Sequence, residues 1–518
     1  MSAAPPDAAG RGEPADPSAH RASAHATGRS HGPDDDATGA TGATADGALD
    51  APLLAALRAA VGDAHVIVGA ALAERASHFW DPTPLAAAAL VRPATTDEVA
   101  ATLRACTAAG RSVVTHGGVT GLAGGDRAGS RDVVLSLERM RAIESIDPVG
   151  RTMTVEAGVV LETAQRAAAE HGLELGIDLG ARGSCTIGGN IATNAGGLSV
   201  LRHGMTREQV LGMEAVLADG TVLRAMNRMM KNNTGYDWKH LLVGSEGTLG
   251  IVTRAVLKLR PATPHVRTAL LACERFDQVT GLLARLGAAL DGSLAAYEVM
   301  WNRFYALNTD PAHEGHVGAP LARDFPLYVL VDARGADEAA LEARFGAAME
   351  GAMEAGLVAD AVLAQSERER AALWRIREHI EIALAHDPVF TYDVSLPVVD
   401  MARYLEGVET ELAARFPELA FYAYGHLADG NLHVLVAPLP IGAPAPDTAE
   451  EEAWHAASDA AVYGPLAALG GSVSAEHGIG LHKRAWLHVS RGPEELELMR
   501  AIKRVMDPTG TLNPGKIL

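Results

Sequence analysis

Three glycine-rich segments limit what this chain can fold into: THGGVTGLAGG (115–125), DLGARGSCTIGGNIATNAGGLSVLRHG (178–204) and KNNTGYDWKHLLVGSEGTLGIVT (231–253). Without a Cβ, a glycine loop lets the backbone come close to a ligand and turn successive N–H groups toward an anion. One such loop could be a plain turn. Three within one α/β unit imply an extended ligand cradled by backbone, and a dinucleotide pyrophosphate is the obvious anion. The mode of binding is not the Rossmann one, because no GxGxxG occurs in the chain. A GxxxxGK match at 510–516 is a decoy. Ile517 stands where a phosphate loop needs Ser or Thr, and no helix can follow before Leu518.

The flanking residues give the architecture. ALVRPATTDEVAATLRACTAAGRSVVTHGG reads strand, helix, strand, with Thr95 or Thr96 as the helix cap and Gly110 as its end. Apolar runs at DVVLSL, TMTVEAGVV, VLGMEAVLADGTVL and GTLGIVTRAVLKL continue the unit as strands, and Arg260-Pro261 closes it. From His265 onward helices alternate with strand-like runs such as FPLYVLVDARG and VFTYDVSLPV. This predicts an α+β region with helices on one face of an antiparallel sheet. The last residues read as a helix stopped by Asp507-Pro508, then an extended tail. The expected division is a disordered tail over 1–49, a first domain over 50–262, a second over 263–490, and a C-terminal helix and tail over 491–518.

Composition narrows the function. The net charge of −20 over 518 residues excludes a nucleic-acid partner that needs a cationic face, but not a small anion in a local pocket. Cys106, Cys185 and Cys273 have neither metal-knuckle nor redox spacing, which fits a reduced, cytoplasmic chain. No apolar run reaches the ~20 residues of a membrane span, so any membrane association is expected to be peripheral. Residues 1–49 are small and acidic, lack a secretory apolar core, and are expected to stay disordered.

The candidate chemistry lies in the second half. FYAYGHLADGNLHVLV (421–436) reads as a hairpin turning at Asp429-Gly430, with His426 before the turn and His433 after it. GGSVSAEHGIGLHKR adds Glu476 and His477 among small residues. Each histidine alone is better explained by an ordinary polar position in a hairpin or loop. Two imidazoles and a carboxylate together form a donor set for a catalytic divalent ion.

The motifs THGGVTGLAGG, GARGSCTIGGNIATNAGG, NTGYDWKHLLVGSEGTLGI, GHLADGNLH, SAEHGIG and LNPGKIL resemble those of the FAD-linked D-2-hydroxy-acid dehydrogenases. That group includes D-lactate, glycolate and D-2-hydroxyglutarate dehydrogenases, within the vanillyl-alcohol-oxidase flavoprotein superfamily, and the likeness runs from about Leu85 to the end. It implies an α+β protein: a vanillyl-alcohol-oxidase-type (PCMH-type) FAD-binding domain, then an α+β substrate-capping domain with an antiparallel sheet. By the resemblance Gly117, Gly118, Gly121, Gly125, Gly188, Gly189, Asn190, Asn194, Gly197 and Ile251 line the FAD site. Val119 stands where relatives usually carry Asn, and His116 where Gln is common. Because His116 precedes the glycine pair, FAD is expected to be non-covalent.

The resemblance further implies that His426, His433 and Glu476 hold the metal, zinc or manganese. His477 takes the hydroxyl proton, flavin N5 takes the hydride, and Arg377 grips the substrate carboxylate, with Arg375 as the neighbouring alternative. D-2-hydroxyglutarate dehydrogenases carry a Thr one turn beyond that arginine, a Lys before YDxSLP and an Asn after the second histidine. Here Glu381, Thr391 and Leu435 occupy those places, which favours a monocarboxylate such as D-lactate over D-2-hydroxyglutarate by charge repulsion. Two other outcomes stay open: non-redox use of FAD, as in alkyl-dihydroxyacetone-phosphate synthase, and a non-catalytic accessory subunit of a glycolate oxidase complex. No iron–sulfur, haem or nicotinamide motif is present. The electron acceptor is therefore external, a quinone, a cytochrome or an electron-transfer flavoprotein, and a homodimer would suit the class.

Overall fold

The computed structural model describes residues 47–79 and 81–518. The tail expected over 1–49 lies outside the described residues as far as residue 46. The first helix, Ala51–Val61, is capped by Asp50, whose carboxylate accepts from the Leu53 N–H at 2.8 Å.

Two sheets build the first unit. A four-stranded sheet runs Val66–Ile67, Ala89–Val91, Val133–Ser136, Val113–His116, and its last three strands are parallel. Those three are almost wholly buried, as the uninterrupted apolar runs require of strands covered on both faces. The helix Thr96–Ala108 links two of them. Thr95 is its cap, its hydroxyl accepting from Glu98 N at 3.1 Å. The second sheet is antiparallel and centred on Ile251–Pro261, which pairs with Thr152–Glu156, Val210–Val216 and Leu173–Leu175. The glycine-rich segments are the connections at the ends of these strands.

The second unit is one seven-stranded antiparallel sheet in the order Asp360–Leu363, His265–Cys273, Leu327–Gly335, Leu294–Trp301, Leu419–His426, Asn431–Pro438, Phe390–Ser395. Strand alternation sorts its side chains. Val299, Ala423, Val434 and Val394 face one side, with the helices Phe276–Leu290, Glu338–Glu354, Met401–Arg415 and Thr448–Tyr463. Met300, Tyr328, Tyr424 and Leu435 face the other, with Asn302–Thr309 and Glu367–Glu378. Helices therefore cover both faces, not one as the alternation suggested. The continuous apolar runs LAAYEVMW and FPLYVLV carry the reason, since a strand with one wet face would alternate.

After the helix Pro493–Met506 the chain returns to the first unit. Leu512 bridges to Val113, and the Asn513 side-chain amide donates to Gly125 O at 2.8 Å and Glu246 O at 2.7 Å. Lys516, the lysine of the decoy motif, donates to Arg127 O at 2.8 Å, a structural contact. Cys106, Cys185 and Cys273 are buried and free.

Candidate active site

The sheet face opposite the four long helices carries an unusual set of polar side chains. Period-two alternation brings Glu298, Tyr424, His426, His433 and Asp393 to this one face, from four neighbouring strands in register. Glu298 is 2% exposed and binds two groups at once. Its Oε1 lies 2.7 Å from His426 Nδ1, and its Oε2 accepts from Arg377 Nε at 2.8 Å. The Arg377 guanidinium also lies over the Tyr424 ring, 4.6 Å from its centroid. Because Nε is committed to Glu298, the two Nη groups remain without a hydrogen-bond partner among the described residues. Arg375 is exposed.

The helix bearing Arg377 spans Glu367–Glu378 and stops one residue after it. Glu381 is thus not one turn further along a helix, as its spacing suggested. Its carboxylate pairs with His379 Nδ1 at 2.6 Å, and its side chain is 68% exposed. Leu435 lies in the apolar layer and Thr391 is exposed.

His426 ends one strand of the hairpin and His433 is the third residue of the next. A short helical turn at Leu427–Asp429 and Gly430 (φ +86°) join them. The two rings are 5.5 Å apart between centroids, and the His477 ring stacks 5.9 Å from His433. Glu476 reaches the same space, with its Oε1 3.9 Å from His426 Nε2. Donor atoms of His426, His433 and Glu476 lie within 4.8 Å of one another, as do those of Asp393, His433 and His477. The first set suits a cation better. Glu298 orients His426 from behind, the usual support for a ligating imidazole. Asp393, by contrast, already accepts from Asn431 Nδ2 at 2.7 Å and from the N–H groups of Ala475, Glu476 and His477 at 3.1, 2.9 and 2.9 Å.

The histidines differ in charge. Burial holds His433 and His477 below their ordinary values, in the neutral form that can ligate or accept a proton. Burial would lower His426 as well, but the Glu298 carboxylate outweighs it and raises His426 to about 9. A cation taking its Nε2 would displace that proton.

The glycine segments converge beside this face. Gly117 packs against Thr186 and Gly189, and Gly118 against Ser184 and Cys185. Gly125 packs on Glu246, while Gly121 borders open space beside Asp126. Gly188, Gly189 and Asn190 lie in the short helix Ile187–Thr193, and Asn194 caps its end in the left-handed region. Gly197 (φ +97°) abuts the Asp178 carbonyl, where no side chain would fit, and its N–H donates to Glu476 Oε1 at 2.6 Å. The Ile251 side chain is packed in the core, leaving only its backbone for a cofactor. Thr115 Oγ1 and Asn513 Oδ1, both beside Gly247, are buried without a partner among the described residues. They are polar groups of the kind a dinucleotide can engage, and the cradle fits that cofactor.

Comparison with known proteins agrees. Residues 87–226 match the family described as FAD binding domain, and residues 262–517 match FAD linked oxidases, C-terminal domain. A D-2-hydroxyglutarate dehydrogenase of Xanthomonas citri pv. viticola is 43% identical over 441 residues, 85% of this chain and 90% of the relative. The mitochondrial D-2-hydroxyglutarate dehydrogenase of Bos taurus is 40% identical over 432 residues, 83% of this chain and 76% of the relative.

The chain belongs to the FAD-linked D-2-hydroxy-acid dehydrogenase family.

Members of this family are FAD-dependent oxidoreductases with the vanillyl-alcohol-oxidase-type fold. Solved structures agree on that fold: p-cresol methylhydroxylase (TM-score 0.69, 17% identity, 90% of this chain and 96% of that one) and alkyldihydroxyacetonephosphate synthase (0.67, 15%, 90% and 86%). No helix among the described residues is long and apolar enough to cross a membrane.

Glu298, Asp393, Asn431, Lys483 and Glu246 also belong to this candidate site and did not stand out in the sequence. Two of them had a signal. Glu298 in AAYEVMW and Asp393 in VFTYDVSLPV are lone acids inside apolar strands, where an unpaired charge would be prohibitive.

Proposed function

We propose that the protein oxidises D-2-hydroxyglutarate to 2-oxoglutarate, with non-covalent FAD and a divalent ion, zinc or manganese, and passes the electrons to an external acceptor. The observation that carries this reading is the single sheet face on which Arg377, with both Nη groups unpartnered among the described residues, stands beside His426 and His433 and beneath the loop bearing Glu476 and His477. The names of the relatives support the substrate. Thr391 in place of a Lys and Glu381 in place of a Thr favoured D-lactate by a lost cation and a gained acid; of these, the Glu381 carboxylate is solvent-exposed and paired with His379.

The chain's own residues divide the work. The planar Arg377 fork can take a carboxylate in two charge-assisted bonds, and Glu298 and Tyr424 hold that fork in place. His426, His433 and Glu476 would hold the ion, which supplies Lewis acidity toward the α-hydroxyl and its neighbouring carboxylate. His477, neutral and 3.8 Å from Asp393 through Nδ1, is the group to receive the hydroxyl proton. FAD, when bound in the glycine cradle, supplies the two-electron acceptor. His116 is buried and its Nε2 is engaged at 2.8 Å by Asp126 O, which supports a cofactor held without a covalent tether.

Retention of the whole histidine and carboxylate constellation favours this reading over an accessory subunit. The test is turnover of D-2-hydroxyglutarate, D-lactate, glycolate and their L-enantiomers with an artificial dye acceptor, identifying the 2-oxo acid formed. D-2-hydroxyglutarate should give the highest kcat/KM and the L-acids none. Preference for D-lactate would move the substrate to a monocarboxylate, and no turnover of any D-acid would overturn the reading.

A further inference from the structure

The loop 474–483, which presents Glu476 and His477, has little regular structure of its own. Two buried carboxylates organise it from opposite sides. Asp393, on the seven-stranded sheet, takes the N–H groups of residues 475, 476 and 477. Glu246, in the third glycine-rich segment, takes the next accessible pair: Oε1 accepts from Ile479 at 2.7 Å and Oε2 from Gly480 at 2.8 Å. Lys483 lies near both, with its Nζ 3.6 Å from Asp393 Oδ2 and hydrogen-bonded to Asp393 O at 3.1 Å and Ser474 Oγ at 3.2 Å.

Several features show how closely Glu246 is determined. It is a non-glycine residue at φ +50°, a conformation that side chains rarely adopt and that persists only when the surroundings enforce it. Its N–H donates to Ala192 O at 2.7 Å, and its carbonyl is held by Asn513. A Cβ on Gly478 would stand 2.7 Å from its Oε1, and one on Gly480 would meet the Ala123 carbonyl. Both positions have positive φ and admit only glycine without strain. The glycines of SAEHGIG thus allow the loop to lie directly on Glu246 and on the 123–125 backbone.

We propose that Glu246 is a positioning residue: it sets the height and orientation of Glu476 and His477 over the glycine cradle, coupling the cofactor-binding unit to the substrate-side loop. The inference rests on the roles proposed above for those two residues. It does not involve Arg377, which is fixed independently by Glu298 on the sheet.

The test compares E246A and the near-isosteric E246Q with the parent, using full-length FAD-loaded protein. Amide exchange at Ile479 and Gly480 should quicken roughly tenfold in E246A, as loss of a charge-assisted hydrogen bond requires. Zn2+ affinity, measured by competition with a chromophoric chelator, should fall in both variants because the loop bearing Glu476 is then braced by Asp393 from one side only. With D-2-hydroxyglutarate at saturating Zn2+, kcat should fall by about 10²-fold while KM changes little, since misplacement affects the base and leaves the Arg377 grip in place. If E246A does not fold, E246Q carries the same readouts. Exchange and Zn2+ affinity equal to the parent's would overturn the proposal, even if the parent oxidises no hydroxy acid. A parallel loss of kcat and rise of KM, with unchanged Zn2+ affinity, would reduce Glu246 to a general structural role and also overturn it.

Discussion

Replacing Glu298 tests the buried network at the centre of the candidate site. Its carboxylate is 2% exposed and is the hydrogen-bond partner of both Arg377 Nε and His426 Nδ1. In Glu298→Ala the guanidinium, itself 6% exposed, would keep its charge and lose its only ion-pair partner among the described residues. Breaking a buried pair in this way costs about 3–5 kcal/mol, because the remaining charge stays desolvated. Glu298→Gln keeps one carbonyl acceptor, so its cost should be nearer the roughly 1.5–3 kcal/mol of a charge-assisted hydrogen bond. Urea unfolding of FAD-loaded protein, followed by tryptophan fluorescence, would rank parent, Gln and Ala in that order. Turnover should fall by about 10²-fold in Glu298→Ala, because Arg377 and His426 are displaced together. An Ala variant within about 0.5 kcal/mol of the parent, the range of an ordinary surface change, would refute the reasoning, as would an unaltered KM for substrate.

Three further outcomes are expected. Val119 holds φ +52°, where a β-branched side chain is poorly accommodated and Asn is tolerated; Val119→Asn should raise stability by about 1 kcal/mol, read as a higher melting temperature of the FAD-loaded protein. Glu381→Ala should change kcat/KM for D-2-hydroxyglutarate less than about threefold, because its carboxylate is exposed to solvent, where charge effects are screened; a large gain would restore the case for charge repulsion. Chelation should abolish turnover while leaving FAD bound, with Zn2+ or Mn2+ restoring it. Persistence of full activity in a protein shown to be metal-free would remove the ion from the mechanism.

Much of the site was legible in the sequence where chemistry and local pattern coincide. His426, Asp429-Gly430 and His433 read as a hairpin with imidazoles on either side of its turn, and the strands meet there as expected. The glycine segments read as a cradle because glycine density marks close backbone approach, and they converge. Contacts that join distant residues were not legible. Glu298 meets Arg377 and His426 through strand register and helix docking, and Glu246 meets Ile479 across 233 positions. The helix end at Glu378 was also missed, because the residues beyond it keep helix-like spacing while the chain turns away, and this carried Glu381 out to solvent. The helices on the second face of the large sheet were foreshadowed by strands apolar on both sides, a pattern easily mistaken for a single buried face.

Whether this protein passes a hydride from a D-2-hydroxy acid to its flavin is tested most directly by an anaerobic titration of the FAD-loaded protein with D-2-hydroxyglutarate, following the visible flavin band. Rapid, stoichiometric bleaching by the D-acid, none by the L-acid, and loss of the response in His477→Ala are the expected results. A flavin that stays oxidised with every D-2-hydroxy acid, in protein replete with metal and FAD, would contradict that transfer.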